Sequence, residues 1–420
     1  MPSEGYKNGE RRGRGKGGRV MSQEIIATGN SAAALAAKMA KVQVISAYPI
    51  TPQTSIVETL SEWIERNAYP IKARYVRVES EHSALAVVTA ASATGVRTFT
   101  ATSSHGLALM HEVLHWVGGS RLPIVMAVVN RALGPPWNIW ADHTDSLSQR
   151  NTGWIQFYAD NNQEVFDTVI QAYHVCEDPE VLLPAMICLD AFILSHTVMP
   201  LSVPSQEAID AFLPPYKPEH AYLDPNRPAV LYPMVFPESD LGYPGYMDFQ
   251  YARQRAMEIA RRRIDEVDKE FEKHFGRSHG GMIQPYKCED AKTLILTMGT
   301  LASESAVVVD NLREQGYKVG SVKVRVFRPF PNEELRNIAK NKQTLLIIDR
   351  NISFGNEGAL FTEVKGALYN LRQRPEIFGF VAGLGGRDVT QIQIEKLVKN
   401  AVIATEKGET QENFEWVGLR

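Results

Sequence analysis

Val96 to Ala132 reads VRTFTATSSHGLALMHEVLHWVGGSRLPIVMAVVNRA. It opens on a β-rich run, turns through Ser103, Ser104, His105 and Gly106, and passes into a helical run that ends at Gly119. It closes on LPIVMAVV, Leu122 to Val129, which is apolar along almost its whole length. A strand apolar on both faces belongs inside a parallel sheet covered by helices on each side. Strand, helix and strand at this spacing make one βαβ unit, whose binding loops lie at the C-terminal ends of the strands.

The pattern extends in both directions. Val42 to Ile50 reads as a strand that ends in the Pro-bracketed turn YPITPQTS, and ARYVRVESE reads as the next strand. HSALAVVTAASATG is a helix rich in small residues, stopped by Gly95, and Glu180 to Phe192 is a further strand. Ten of the 23 prolines lie between Pro200 and Pro244, so that stretch is expected to be a linker or wrapping arm without regular structure. A charged amphipathic helix follows, YARQRAMEIARRRIDEVDKEFEKHF. From Asp290 a second alternation begins, with AKTLILTMGT, KVGSVKVRVF and QTLLIIDR as strands and LASESAVVVDNLREQG and NEELRNIAKN as helices. The expected division is a basic arm (1–22), an α/β domain (23–200), a Pro-rich linker with the charged helix (201–285) and a second α/β domain (286–420).

At 420 residues the chain exceeds one compact core, and its 44% hydrophobic and 22% charged residues are ordinary for a water-soluble protein. A net charge of -3 speaks against nucleic acid as a partner. Only the first twenty residues are basic and Gly-rich; without an apolar run they read as a disordered arm, not a signal peptide. No stretch approaches the roughly 18 to 20 apolar residues of a membrane span. Cys176, Cys188 and Cys288 form no C-x-x-C pair and are too few for an iron–sulfur cluster; they suit a reducing cytoplasm.

Within the opening stretch, His111, Glu112 and His115 match H-E-x-x-H, the signature of a zinc peptidase. A metzincin would place a third His three residues after Gly118, where this chain has Arg121, and a buried strand follows instead of a long loop. The helix reads as a packed element of the βαβ run, with a zinc peptidase as the minor alternative. Three other constellations carry more chemistry. AYPITP, Ala47 to Pro52, fixes a loop between two prolines and presents Thr51. In RVESEH, Glu79 and Glu81 follow a strand, and one of them falls at the start of the next helix, where the dipole favours a carboxylate or merely a cap. Arg131 leaves the buried strand into a loop carrying Trp137, Trp140, Asp142, His143 and Asp145; its fork suits a carboxylate from a ligand or from one of those Asp residues. G-x-x-x-x-G-K-[ST], an early G-x-G-x-x-G and G-D-G are all absent, and AGLGGRD, Ala382 to Asp388, is not placed as a dinucleotide fingerprint.

SAYPITPQT, VRVESEHSA, TFTATSSHGLALMHE, LPIVMAVVNRAL, DSLSQRNTGWIQFYADNNQE, RVFRPFP, DRNISFGNEGAL and GFVAGLGGRDVT together resemble the alpha subunit of pyruvate:ferredoxin oxidoreductase and its 2-oxoacid relatives, from about residue 24 to 400. The resemblance implies a pyrimidine-binding α/β domain of thiamine diphosphate enzymes, followed by a domain like the C-terminal one of transketolase. It implies oxidative decarboxylation of a 2-oxoacid, pyruvate first, with coenzyme A to acyl-CoA, carbon dioxide and low-potential electrons for ferredoxin. Thiamine diphosphate would be shared with a beta subunit holding diphosphate and magnesium; a delta subunit would carry iron–sulfur clusters and a gamma subunit would help bind coenzyme A. Glu81, with Glu79 as runner-up, would hydrogen-bond N1′ of the cofactor's aminopyrimidine and favour its imino tautomer. Arg131 would grip the substrate carboxylate, Thr51 would hydrogen-bond beside it, and Pro49 and Ile50 would shape the pyrimidine side. The long aromatic segment Arg227 to Phe249 and the basic arm depart from the pyruvate pattern. They leave a phenylglyoxylate or branched-chain 2-oxoacid enzyme, with ferredoxin or an NAD-reducing subunit as acceptor, as the alternative. Trp137 and Trp140 would then line an aromatic pocket or simply anchor their loop. A non-catalytic scaffold is the remaining reading.

Overall fold

The computed structural model describes residues 22–218, 223–226, 245–411 and 413–419. The expected disordered arm lies outside them except for Ser22, as do residues 227–244 of the aromatic segment. The first half runs β1 (Ser22–Thr28), α1 (Gly29–Met39), β2 (Val44–Ser46), α2 (Thr54–Glu65), β3 (Arg74–Val76), α3 (Glu81–Ala93), β4 (Thr98–Thr102), α4 (Ser104–Leu109), α5 (His111–Gly119), β5 (Val125–Asn130), α6 (Thr144–Leu147), β6 (Ile155–Tyr158), α7 (Asn162–Cys176), β7 (Ala185–Asp190) and β8 (Val198–Pro204). The second runs α8 (Gln206–Phe212), α9 (Tyr246–Phe275), β9 (Ile283–Tyr286), β10 (Thr293–Thr297), α10 (Leu301–Glu314), β11 (Val319–Val324), β12 (Val326–Arg328), α11 (Asn332–Ala339), β13 (Thr344–Asp349), α12 (Ala359–Leu368), β14 (Glu376–Val381), α13 (Gln391–Lys407) and β15 (Glu415–Trp416).

Two large sheets result. One has the order β12-β6-β7-β5-β4-β2-β3, the other β15-β14-β13-β10-β11-β9. The pairs are parallel except for β12 on β6 and β9 on β11. β4, β5 and β7 are buried at every position, as the apolar runs require. Their helices start on side-chain caps: Ser80 Oγ accepts from the Ser83 amide (3.2 Å) and Asn161 Oδ1 from the Glu164 amide (2.8 Å).

Three expectations are corrected. The Pro-rich stretch is regular at its start: β8 crosses Pro200 and pairs antiparallel with β1, and α8 follows. Proline is tolerated there because a two-stranded ladder leaves outward N–H positions unused. The charged helix begins at Tyr246, five residues before its first periodic residues, after Gly245 donates its amide to Asp248 Oδ2 (2.8 Å). KVGSVKVRVF, expected as one strand, is two: β11 ends at Val324 in the second sheet, and β12 joins the first sheet beside β6. The chain crosses at Arg325. Its Nε donates to Glu164 Oε1 (3.0 Å), while Lys323 Nζ meets Glu164 Oε2 at 2.8 Å. Burial alone would raise the Glu164 pKa, but Lys323, His279 and Arg325 hold it below the usual carboxylate range. One apolar cluster runs through both sheets, from Leu114, Met126 and Val128 to Leu296, Val322 and Leu345.

The strand order of the second sheet reverses between the parallel strands β10 and β13, the place where open α/β sheets take up ligands. Here the first sheet fills it. Asp190, at the end of β7, accepts from the Thr300 amide (3.1 Å) and from Arg350 Nη1 (3.1 Å), and His143 Nε2 lies 2.7 Å from its other oxygen. Burial would raise the Asp190 pKa, yet Arg350, His143 and Thr300 hold it below the carboxylate range.

Candidate functional site

The site lies where β2, β4 and β5 end. Leaving β2, AYPITP becomes a loop held from below. Asn30 Nδ2 donates to Pro52 O (2.7 Å), and the buried Gln53 side chain donates to Ala101 O (3.0 Å) while accepting from the Ile50 amide (3.3 Å). Pro49 and Thr51 stay exposed and Ile50 half-buried at its tip. Glu81 is the first residue of α3 and is only 8% exposed. Its carboxylate packs on Gly106, where an added Cβ would come within 2.6 Å of both Glu81 Oε1 and Thr102 Oγ1. Among the described residues the buried Thr102 hydroxyl has no partner; the Glu81 carboxylate makes no hydrogen bond among them but is not a fully buried group. Glu79 is different: it is exposed and accepts from Ser83 Oγ (2.5 Å), which lowers its pKa.

Arg131 is 2% exposed. Its Nη1 donates to Thr51 O (2.8 Å), its Nε to Asn138 O (3.2 Å), and the guanidinium lies 4.8 Å from the Trp137 ring centroid. Burial lowers its pKa, and Asp145 opposes that. The ion pair with a loop Asp, left open by the sequence, is not formed. Asp145 instead accepts through Oδ2 from the amides of Arg131 and Ser104 (3.0 Å each), and through Oδ1 from Asn130 Nδ2 (2.8 Å) and the Ser146 amide (2.7 Å). Burial pushes its pKa up to about 6 despite these donors. Asp145 thus ties the end of β5 to the turn that backs Glu81. Ser104, the pivot of that turn, has φ +48.

The structure therefore joins Thr51 to Arg131 directly, and Glu81 to them through the turn and Asp145. Sequence reading missed Gly106 and Asn138 as parts of this arrangement, and offered Asp145 only as one possible ion-pair partner of Arg131; the Ser/Gly turn was the available signal for the first. Trp140 packs on Phe192 (4.6 Å between centroids), and Trp137 stacks on His105 (6.2 Å).

The H-E-x-x-H residues are turned elsewhere. His111 Nδ1 meets Gln149 Oε1 at 2.5 Å, Glu112 faces His82 at 3.4 Å, and His111 and His115 stack edge-on at 4.9 Å. Among the described residues no group of three or more His, Cys, Asp and Glu is placed to hold a metal, and no helix is long and apolar enough to cross a membrane.

Two family models match the chain: pyruvate flavodoxin/ferredoxin oxidoreductase, thiamine diphosphate-binding, over residues 35–269, and pyruvate:ferredoxin oxidoreductase core domain II over residues 291–394. Pyruvate synthase subunit PorA of Pyrococcus horikoshii is 52% identical over 391 residues, covering 93% of this chain and 97% of that one. Ketoisovalerate oxidoreductase subunit VorA of the same organism is 50% identical over 395 residues, covering 94% and 98%. The solved 2-oxoglutarate:ferredoxin oxidoreductase from Magnetococcus marinus has the same fold, with a TM-score of 0.66 at 18% identity over 90% of this chain and 65% of that chain. The architecture is that of a thiamine diphosphate-binding α/β domain followed by a transketolase C-terminal-like one.

Proposed function

The chain belongs to the pyruvate flavodoxin/ferredoxin oxidoreductase family and is a 2-oxoacid oxidoreductase subunit, and on that premise we propose that it is the alpha subunit of a cytoplasmic complex that oxidises pyruvate. The 2-oxoacid and coenzyme A become acyl-CoA and carbon dioxide, with one proton released to solvent and two electrons passed to ferredoxin. The observation that carries this reading is the Glu81 carboxylate, set at a helix N-terminus, packed on Gly106 and without a hydrogen bond among the described residues. A carboxylate so placed can accept from a donor that a ligand brings. The Gly106 cradle and the unpartnered Thr102 hydroxyl beside it fit the aminopyrimidine of thiamine diphosphate.

Glu81 would hold a proton at N1′ of that ring, and Pro49 and Ile50 would bound its face. Thiamine diphosphate, when bound, supplies the nucleophilic carbon and the electron sink for decarboxylation. Arg131 would orient the substrate carboxylate. Its guanidinium meets only carbonyl oxygens and a ring among the described residues, so a carboxylate partner remains to be provided. The Thr51 hydroxyl, on the same loop as the carbonyl that Arg131 grips, would hydrogen-bond beside it. Lacking G-D-G and enough cysteines, this chain would rely on a beta subunit for diphosphate and magnesium, on a delta subunit for iron–sulfur clusters, and on a gamma subunit for part of the coenzyme A site. The nearly equal identity to a ketoisovalerate subunit supports a branched-chain 2-oxoacid as the second reading.

The test is viologen reduction by the chain assembled with its partner subunits, with pyruvate, 2-oxoisovalerate, 2-oxoglutarate and phenylglyoxylate. Pyruvate should give the highest kcat/KM. Glu81→Gln should lower kcat by about 100-fold or more with thiamine diphosphate still bound. Undiminished turnover of that variant with bound cofactor would overturn the assignment.

A further inference from the structure

We infer that Asn138 is a positioning residue through which the second sheet sets the orientation of Arg131; this rests on the carboxylate-binding role proposed above for Arg131. Arg131 Nε donates to the Asn138 carbonyl (3.2 Å). That carbonyl is fixed by its own side chain, whose Nδ2 donates across the junction to Gly385 O (3.0 Å) and whose Oδ1 accepts from the Trp140 amide (2.7 Å). The receiving surface is AGLGGRD, the glycine run that the catalytic reading left without a role. Gly385 has φ +59, and a Cβ there would come within 2.5 Å of Asn138 Nδ2. Gly386 has φ +74, and a Cβ there would come within 2.3 Å of the Trp140 Cβ. Both glycines are thus required by the close approach of the Arg131 loop. The Gly386 amide donates to Ala141 O (2.9 Å) and the Gly385 amide to Asp142 Oδ2 (3.3 Å).

The run is therefore a seat for the substrate loop rather than a nucleotide loop. A guanidinium fork binds a carboxylate through two directed N–H groups, so its value depends on its angle. Among the described residues no carboxylate bonds to Arg131 to set that angle; the Thr51 and Asn138 carbonyls set it, and of these two the second is held from the second sheet.

The test uses the assembled complex with thiamine diphosphate bound. Asn138→Ala and Asn138→Asp should each raise the KM for the 2-oxoacid about tenfold, the scale of one lost directed hydrogen bond. The KM for coenzyme A and the cofactor affinity should stay within about twofold. The Asp variant keeps the acceptor for the Trp140 amide and presents no N–H to Gly385 O, so it separates the junction bond from the local turn. Gly386→Ala, which reaches the loop from the other side, should show the same signature. In an Arg131→Lys background the Asn138→Ala change should add less than about twofold, because both act through one group. A wild-type KM in Asn138→Asp, or full additivity with Arg131→Lys, overturns the inference while Arg131 keeps its role. An Arg131→Lys enzyme with unchanged KM and kcat removes that role itself.

Discussion

Arg131 and Arg325 are both almost withdrawn from water, at 2% and 0% exposure, yet they are partnered in opposite ways. Every nitrogen of Arg325 is partnered: Glu164 takes its Nε, Gly281 O its Nη1, and Thr168 and Gln171 its Nη2. Arg131 has two carbonyls and an indole face, and no carboxylate within salt-bridge distance among the described residues. A buried cation whose fork is closed by the protein is part of the framework. One whose partners among the described residues are all neutral is what the proposed carboxylate-binding role requires.

The comparison can be broken by substitution. Arg325→Met should leave Glu164 with Lys323 alone and the Gly281, Thr168 and Gln171 acceptors unpaired, and lower unfolding free energy by about 3 kcal/mol, measured by urea denaturation. Arg131→Met should leave stability within about 1 kcal/mol of the parent in the same measurement, since no buried anion is orphaned, while abolishing saturation by the 2-oxoacid. If both variants were equally destabilised, the distinction between framework and poised cation would fail.

The framework side also carries a titration. Asp349, beside Arg350, accepts from the amides of Leu360 (2.9 Å) and Phe361 (3.0 Å), and burial pushes its pKa up to about 7 against those bonds. Its folded pKa lies above the unfolded value of roughly 3.9. Its stabilising contribution is therefore complete below that unfolded value and is lost as pH rises to about 7. Asp349→Asn should flatten the fall in thermal midpoint across that window. The smallest effect is expected at the zinc-like motif: His111→Ala and His115→Ala should leave turnover within about twofold, with no zinc retained by metal analysis.

The apolar strands and the site loops were legible because their signals are local. Runs such as LPIVMAVV announce a parallel sheet, and Glu81, Arg131 and Thr51 stand at the strand ends that such a sheet exposes. What stayed hidden depends on contacts distant in sequence. β1 and β8 pair across almost the whole first half, and proline in β8 argued against a strand. β6 and α7 passed unremarked as elements, four residues being too few for a clear period in the first case. Nothing in KVGSVKVRVF tells which of two sheets each half joins; the crossing is held by the ion pairs of Lys323 and Arg325 with Glu164 on a distant helix. Asn138 and Gly385 meet only in the folded chain, so neither the role of the glycines nor the seat of the Arg131 loop is written in either stretch alone.

β12 also has a consequence for biosynthesis. The outer edge of β6 is covered only when Val326–Arg328 arrives to pair with it. A ribosome delivers that strand long after the rest of the first sheet. Until then the nascent protein carries an open β edge, the kind of surface that invites pairing between neighbouring chains. A first half expressed alone would lack the strand that pairs with that edge, and is expected to aggregate more readily than the full chain.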